Sequence, residues 1–420
     1  MDLYRGMANL EWEATGKTES GHLTLRLHWL PTPSVNVDLG ETEDDSEPRA
    51  GYVRIRLPGI DGSLRALIRH HTFVDTTKMP RSTKGLPYIP SGWLEGGELG
   101  VGPLTNVECG IVNLPSIQEA LQEDGGTRWR WQVMEGPLDL SWDAWQLVLT
   151  PRPHEEAWGK AGHWSGVAIT HTARLARADG ASFDASHGRL ILDGLRTLLT
   201  FARGERTSPG LVFGVNESGE HWSRWDLDEV DPLHGTDFPS DTWLGEDHAG
   251  ALRRIVPGWM RLWSDEGWRQ RLDLAVALRV DAASRRSDVG IVVAQQALEQ
   301  LAWAVLVEEE AVLSRDGFGK LPASDRIRLA LASAGVALTL PEYLHRRRES
   351  REYEDGPHAV TSIRNGLVHP SAAGRIPSAV REHIDDWLQL ALLYVDLLVL
   401  DLVGYELDES GGMSNSTAES

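Results

Sequence analysis

Near the end of this 420-residue chain lies the hexapeptide Arg364-Asn365-Gly366-Leu367-Val368-His369, followed by Pro370. It sets a permanent cation five positions before a titratable imidazole, with four residues between them, and that pair of groups suits one particular chemistry. RNA carries its own nucleophile, the 2′-OH, beside every phosphate. An imidazole with a reference pKa of about 6.5 is mostly neutral at pH 7 and can take the hydroxyl proton. Arg364 would fork onto the non-bridging phosphate oxygens and stabilise the charge that grows there. The products would be a 2′,3′-cyclic phosphate and a 5′-hydroxyl, with no metal required. Asn365 does not titrate; it can orient the histidine or donate to phosphate.

Spacing alone is a weak signal. On an unbroken α-helix, positions five apart lie about 7.5 Å along the axis and about 140° around it, so they do not share a face. Arg364 has a long stem, however, and Gly366 and Pro370 weaken or end helical geometry around His369. The two side chains could therefore converge on one phosphate in a groove between helices, which a second subunit could complete. The same spacing recurs at Arg65 and His70, in a β-rich stretch where it has no role. The competing reading of Arg364 and His369 is structural: an arginine paired with acid and a histidine at a helix C-terminus.

The elements that must position the pair are helical. From about residue 240 the apolar pattern turns from period two to helical spacing. Long helices are predicted over 263–284, 287–313 and 378–404, a shorter one over 323–335, and the motif helix over 356–369. Ser287-Asp288 and Ser378, after Pro377, serve as start signals. The pattern predicts an antiparallel helical bundle over 246–408, with a disordered tail over 409–420.

Residues 1–154 read as a β-rich domain. Strict alternation runs through 22–30, 52–57 and 129–133, and 40–49 has loop composition. Residues 155–245 are mixed: a strand over 167–179, a helix over 187–204 and a hairpin over 211–227. This region could be continuous with the first. The fold class is thus multidomain α+β, sheet first and helices last.

Composition bounds the partners. Lys and Arg number 41 against 62 Asp and Glu, for a formal charge of -21, so broad coating of nucleic acid is disfavoured and any RNA site must be local. A lone cysteine, Cys109, excludes an internal disulfide framework and multi-cysteine metal sites, and fits a reducing, cytoplasmic setting. The N-terminus lacks the pattern of a secretory signal, and the apolar run 387–403 is interrupted by Asp396 and Asp401, as in a buried helix rather than a membrane span. Phosphate-binding glycine loops, zinc-protease motifs and nucleophile elbows are missing, and neither cofactor nor metal is expected.

Other residues carry two readings each. Glu299, the internal acid of helix 287–313, either orients His369 or Arg364, or is structural and pairs with a surface arginine or faces water; Gln295 and Gln296 are lesser versions of the same idea. Arg346, Arg347, Arg348 and Arg351 either guide an RNA backbone or form a solvated arm balanced by neighbouring glutamates. Glu308 to Glu310 read as a solvated turn rather than a metal cluster. Of the 17 tryptophans, Trp129, Trp131, Trp142, Trp145 and Trp164 could stack bases, but core packing is the stronger expectation. His70-His71 lacks ligands at zinc spacing.

The segment SIRNGLVHP resembles the motif of the HEPN family, an arginine, a polar residue, three variable residues and a histidine. Arg364, Asn365 and His369 each match a position. The helix 294–310 is similar to the one that packs beside the motif in that family, and the resemblance covers roughly 250–405. It implies a metal-independent endoribonuclease whose two motifs meet across a homodimer seam. The preceding region, with LRTLLTFARGERTSPGLVFG, more weakly resembles the β-rich sensing portions of ApeA-like phage-defence proteins. That likeness implies a phage component or a regulatory protein as partner there, and a defence or toxin-like role. The alternative is a noncatalytic module that dimerises and binds RNA or protein.

Overall fold

A computed structural model describes residues 2–28, 34–42, 51–58, 60–69, 91–100, 102–123, 128–153, 166–216, 221–225, 228–233, 238, 242–345, 352–369 and 378–405. The chain divides into two compact units, and the division does not follow chain order. The first holds Met1–Ser116, Met134–Arg196 and Thr207–Asp237; the second holds Ile117–Val133, Thr197–Arg206 and Phe238–Ser420.

The first unit is built on antiparallel β-structure. Strands β1 (Asp2–Trp12), β2 (Thr18–His28), β3 (Ser34–Thr42), β4 (Gly51–Arg56), β5 (Gly62–Arg69) and β6 (Ser91–Leu99) pair in the order β6-β3-β2-β1-β4-β5. A further pairing of β5 with β6 closes them into a six-stranded barrel. Alternation puts Leu10, Leu23, Leu25, Val37, Val53, Ile55, Leu64 and Ile68 inside, all at 1% exposure or less, so these side chains pack the barrel interior. The segment expected as a loop over 40–49 begins as strand, since β3 runs to Thr42; residues 43–49 lie outside the described residues.

Beyond β6 the sheet continues through β14 (His221–Arg224), β13 (Ser208–Val215), β7 (Asn106–Val112), β12 (Ile169–Arg177), β11 (Trp145–Pro151) and β10 (Leu138–Trp142). The pairing of β12 with both β11 and β7 carries the sheet across residue 154 without a break. The hairpin of β13 and β14 forms within the segment 211–227 that its turn residues indicate. Helix α1 (Ala185–Arg203) starts in this unit, where Gly188 lets it approach Val107 of β7. Its last residues, from Thr197, belong to the second unit.

The second unit is helical, with a small hairpin of β8 (Gln118–Glu123) and β9 (Arg128–Val133). Its helices are α2 (His248–Ser264), α3 (Glu266–Ser284), α4 (Ser287–Trp303), α5 (Arg315–Lys320), α6 (Ala323–Ser333), α7 (Glu342–His345), α8 (Gly356–Val368), α9 (Ser378–Glu382) and α10 (Ile384–Leu402). The central helix is α4, which packs against α3, α6, α8 and α10. It continues as a π-helical turn over Ala304–Glu309. The stretch Ser287–Glu309 is apolar and long enough to cross a membrane, but it is mostly buried among these helices, as a bundle core would be.

Several boundaries differ from the sequence pattern. The expected helix over 263–284 is two helices, α2 and α3, meeting at Asp265, which closes one and caps the other through Trp268 N. Most of α2 was hidden because Pro257-Gly258 reads as a turn. Burial of Leu252, Ile255, Val256 and Trp259 overrides that local signal. The N-cap of α4 is Arg286 rather than Ser287; the Ser287 hydroxyl bonds Asp385 instead. The last helix does begin at Ser378 but breaks at His383 into α9 and α10. The tail 409–420 lies outside the described residues.

Candidate active site

The motif helix α8 is specified at both ends. Asp355 caps its start, accepting from His358 N at 2.8 Å, and Pro357 sits in the first turn, where its missing N–H costs nothing. The imidazole of His358 returns the contact by accepting from Glu354 N at 3.2 Å. At the far end His369 leaves helical geometry, with φ −112° and ψ 90°, while its N–H still donates to Asn365 O. The five-residue offset between Arg364 and His369 is therefore not that of a continuous helix.

Arg364 is half-buried, and Asn365 and His369 are exposed. Arg364 Nη1 donates to Asn365 Oδ1 at 3.2 Å. Among the described residues its guanidinium meets no carboxylate within ion-pair distance, and the His369 ring has no hydrogen-bond partner. Among the described residues the arginine therefore lacks the acidic partner of the structural reading, while His369 does stand at the helix C-terminus as that reading has it. Both groups stand at the end of α8, and no hydrogen bond joins them.

Glu299 takes the structural role rather than the orienting one. Its carboxylate accepts from Arg326 Nη1 at 3.1 Å and from Gln295 Nε2 at 3.0 Å. Arg326 also donates to the carbonyls of Phe318 and Gly319, so it ties α4 to α5 and α6. Neither Arg364 nor His369 shares a hydrogen bond with Glu299. Sequence reasoning missed Arg326 because it lies 27 residues from Glu299 on a separate helix, with no local pattern to relate them. Arg346, Arg347, Arg348 and Arg351 lie outside the described residues.

The remaining candidates resolve individually. Arg65, in the repeated spacing, forks onto Glu13 at 3.0 and 3.1 Å, and His70 and His71 lie outside the described residues. Glu308 is held by Trp303 Nε1 and Arg271, and Glu310 by Ser333, so these acids point to different partners. Trp142 is buried and Trp145 packs edge-on against Phe183, whereas Trp131 is 40% exposed on β9; the side chains of Trp129 and Trp164 lie outside the described residues. Burial pushes the Cys109 thiol up to about 12, so it is no nucleophile near neutral pH. Among the described residues no group of three or more His, Cys, Asp or Glu side chains could hold a metal ion.

A groove of about 560 Å³ lies on the open sheet face, lined in part by Glu108, Thr150, Thr172, Arg174, Leu211 and Phe213. A bulge in β13, with Leu211 at φ 55°, turns Phe213 toward it. Its two charges, Glu108 and Arg174, face each other at 3.8 Å. They leave no uncompensated charge to fix a ligand.

Residues 265–409, which include the whole of α8, match the family model of the YopA C-terminal domain. Residues 101–236 match that of the YopA central domain. Both regions are YopA-like. The chain is 25% identical over 277 residues to the SPbeta prophage-derived uncharacterized protein YopA of Bacillus subtilis (strain 168). That alignment covers 64% of this chain and 61% of the relative, less than two thirds of its length. The barrel strands β1–β6 precede both matched segments. No solved structure matches the chain.

Proposed function

We propose that the chain is a metal-independent endoribonuclease with its site at the end of α8. The observation that carries this reading is an arginine with no acidic partner among the described residues, beside an exposed histidine where the helix ends. His369 takes the proton of an RNA 2′-OH, and the resulting oxygen attacks the adjacent phosphorus as the bond to the 5′-oxygen breaks. Arg364 donates to the non-bridging oxygens, and Asn365, already bonded to Arg364, holds its guanidinium. The leaving 5′-oxygen receives a proton from the partner subunit's His369 in a homodimer. Pooling two motifs in this way also offsets the acidity of the chain, whose formal charge is -21.

The HEPN resemblance of SIRNGLVHP supports the assignment, as does the packing of α8 against α4. In this reading the β-rich unit recognises a phage component or a regulatory protein and governs the nuclease. The prophage origin of the YopA relative fits a setting in which phage and host compete. The experiment is RNA cleavage by the purified chain with EDTA present, with product ends mapped and Arg364→Ala and His369→Ala compared. Retained RNA binding without any cleavage would instead favour a noncatalytic binding module.

A further inference from the structure

The catalytic end of α8 has little packing of its own. The helix buries Gly356, Pro357, Ala359, Val360, Thr361 and Ile363, and burial stops one residue before Arg364. The direction in which Arg364 and His369 point is therefore inherited from the first two turns.

Three contacts converge on those turns. The Asp355 carboxylate that caps the helix also grips Arg328 of α6, with Nε to Oδ2 at 2.6 Å and Nη2 to Oδ1 at 3.2 Å. Arg328 is itself braced by Asp325 and by Glu354. Gly356 N donates to Leu338 O at 2.9 Å. Above the same turn lies Tyr394 of α10, whose hydroxyl would stand 1.8 Å from a Cβ at position 356, so only glycine fits. That hydroxyl is buried without a hydrogen-bond partner among the described residues, and burial pushes its pKa up, so it acts as a neutral wedge.

We infer that Arg328 and Asp355 are positioning residues for the Arg364–His369 site, an inference that rests on the ribonuclease reading above. The fork fixes the tilt and rotation of α8 at one end, and the reacting groups sit at the other. At 1.5 Å per residue, His369 lies about 20 Å beyond the clamp, so a tilt of about 5° moves it by nearly 2 Å. Misplacement on the order of 1 Å can cost about a hundredfold in rate. Neither residue contacts the site, so substrate binding is not their task.

The test uses the full chain, a mixed-sequence single-stranded RNA and three variants: Arg328→Ala, Arg328→Lys and Asp355→Asn. Asparagine caps a helix about as well as aspartate, so Asp355→Asn removes the charged fork and spares the cap. In Arg328→Ala and Asp355→Asn, kcat should fall about 10- to 100-fold while KM stays within about twofold. Amide exchange at 362–369 should quicken, while exchange in α10 stays as in the parent. Arg328→Lys should recover part of kcat. An active parent whose Arg328→Ala variant matches it in both kcat and exchange overturns the clamp alone. Exchange that quickens equally throughout the helical unit also overturns it, because that is the mark of general destabilisation. A parent chain that binds RNA and never cuts it overturns the ribonuclease reading instead.

Discussion

Arg279 of α3 forks onto Asp396 of α10, with Nε to Oδ1 and Nη2 to Oδ2 both at 3.0 Å. Both side chains are more than nine-tenths buried, and Arg279 Nη1 also reaches the carbonyl of Gly204 at 3.4 Å. Removing one partner strands the other charge in a dry interior, which costs about 3–5 kcal/mol. Asp396→Ala and Arg279→Ala should each lower the unfolding free energy by that order, read as a lower denaturant midpoint at unchanged slope. Replacing both together with well-packed apolar residues should cost much less than either alone. Equal losses in the single and double variants would contradict this account.

The close approach of α2 to the end of α10 depends on Gly258. A Cβ there would lie 1.8 Å from the carbonyl oxygen of Val403, a backbone atom that cannot swing away. Gly258→Ala should destabilise the protein by about 1–3 kcal/mol. Gly319, in α5, has nothing within 4 Å of its Cβ position, so Gly319→Ala is the control and should be neutral or slightly stabilising. Thermal melts of the two variants side by side decide the point.

In the sheet, His171 of β12 is buried beside Thr170, and desolvation pushes its pKa down to about 4. The unfolded chain titrates this imidazole near 6.5, so between the two values it binds the proton more than the folded chain does. Stability is therefore fully present above pH 6.5 and is lost as pH falls toward 4, by about 3 kcal/mol in all. His171→Gln removes that titration and should flatten the dependence. Urea unfolding of both chains at pH 7 and pH 5 measures the difference.

Because Glu299 is committed to Arg326 and Gln295, Glu299→Gln should leave the proposed RNA cleavage in place. Ion pairs with partly exposed partners contribute about 1 kcal/mol or less, and these side chains are 21% and 30% exposed. A small drop in melting temperature with kcat changed less than about threefold is expected. A loss of cleavage at unchanged stability would return Glu299 to the site.

Alternation made the strands legible: 22–30 and 52–57 overlap β2 and β4, and Leu23, Leu25, Val53 and Ile55 are buried. Helical spacing likewise placed α6, α8 and the long core of α10. What escaped depends on distant partners. Pro257 in α2 is tolerated because of tertiary burial, and the closure of the barrel by β5 and β6 joins segments that no local pattern relates. The allotment of 117–133 and 197–206 to the helical unit is equally non-local. At the site, the spacing singled out Arg364 and His369 as candidates, but it could not tell whether the arginine pairs with acid. The anchoring of α8 could have been suspected from Asp355-Gly356-Pro357, a cap followed by a proline, but its partner Arg328 could not.

The central claim rests on the chemistry of His369. The most direct measurement is cleavage of RNA by the parent chain and by His369→Ala in excess EDTA, with the new 3′ ends identified. The account predicts cyclic-phosphate ends from the parent, no cutting of the matching DNA, and loss of cleavage in the variant with its fold and oligomeric state intact. Cleavage by His369→Ala at the parental rate would contradict it, as would cleavage abolished by EDTA.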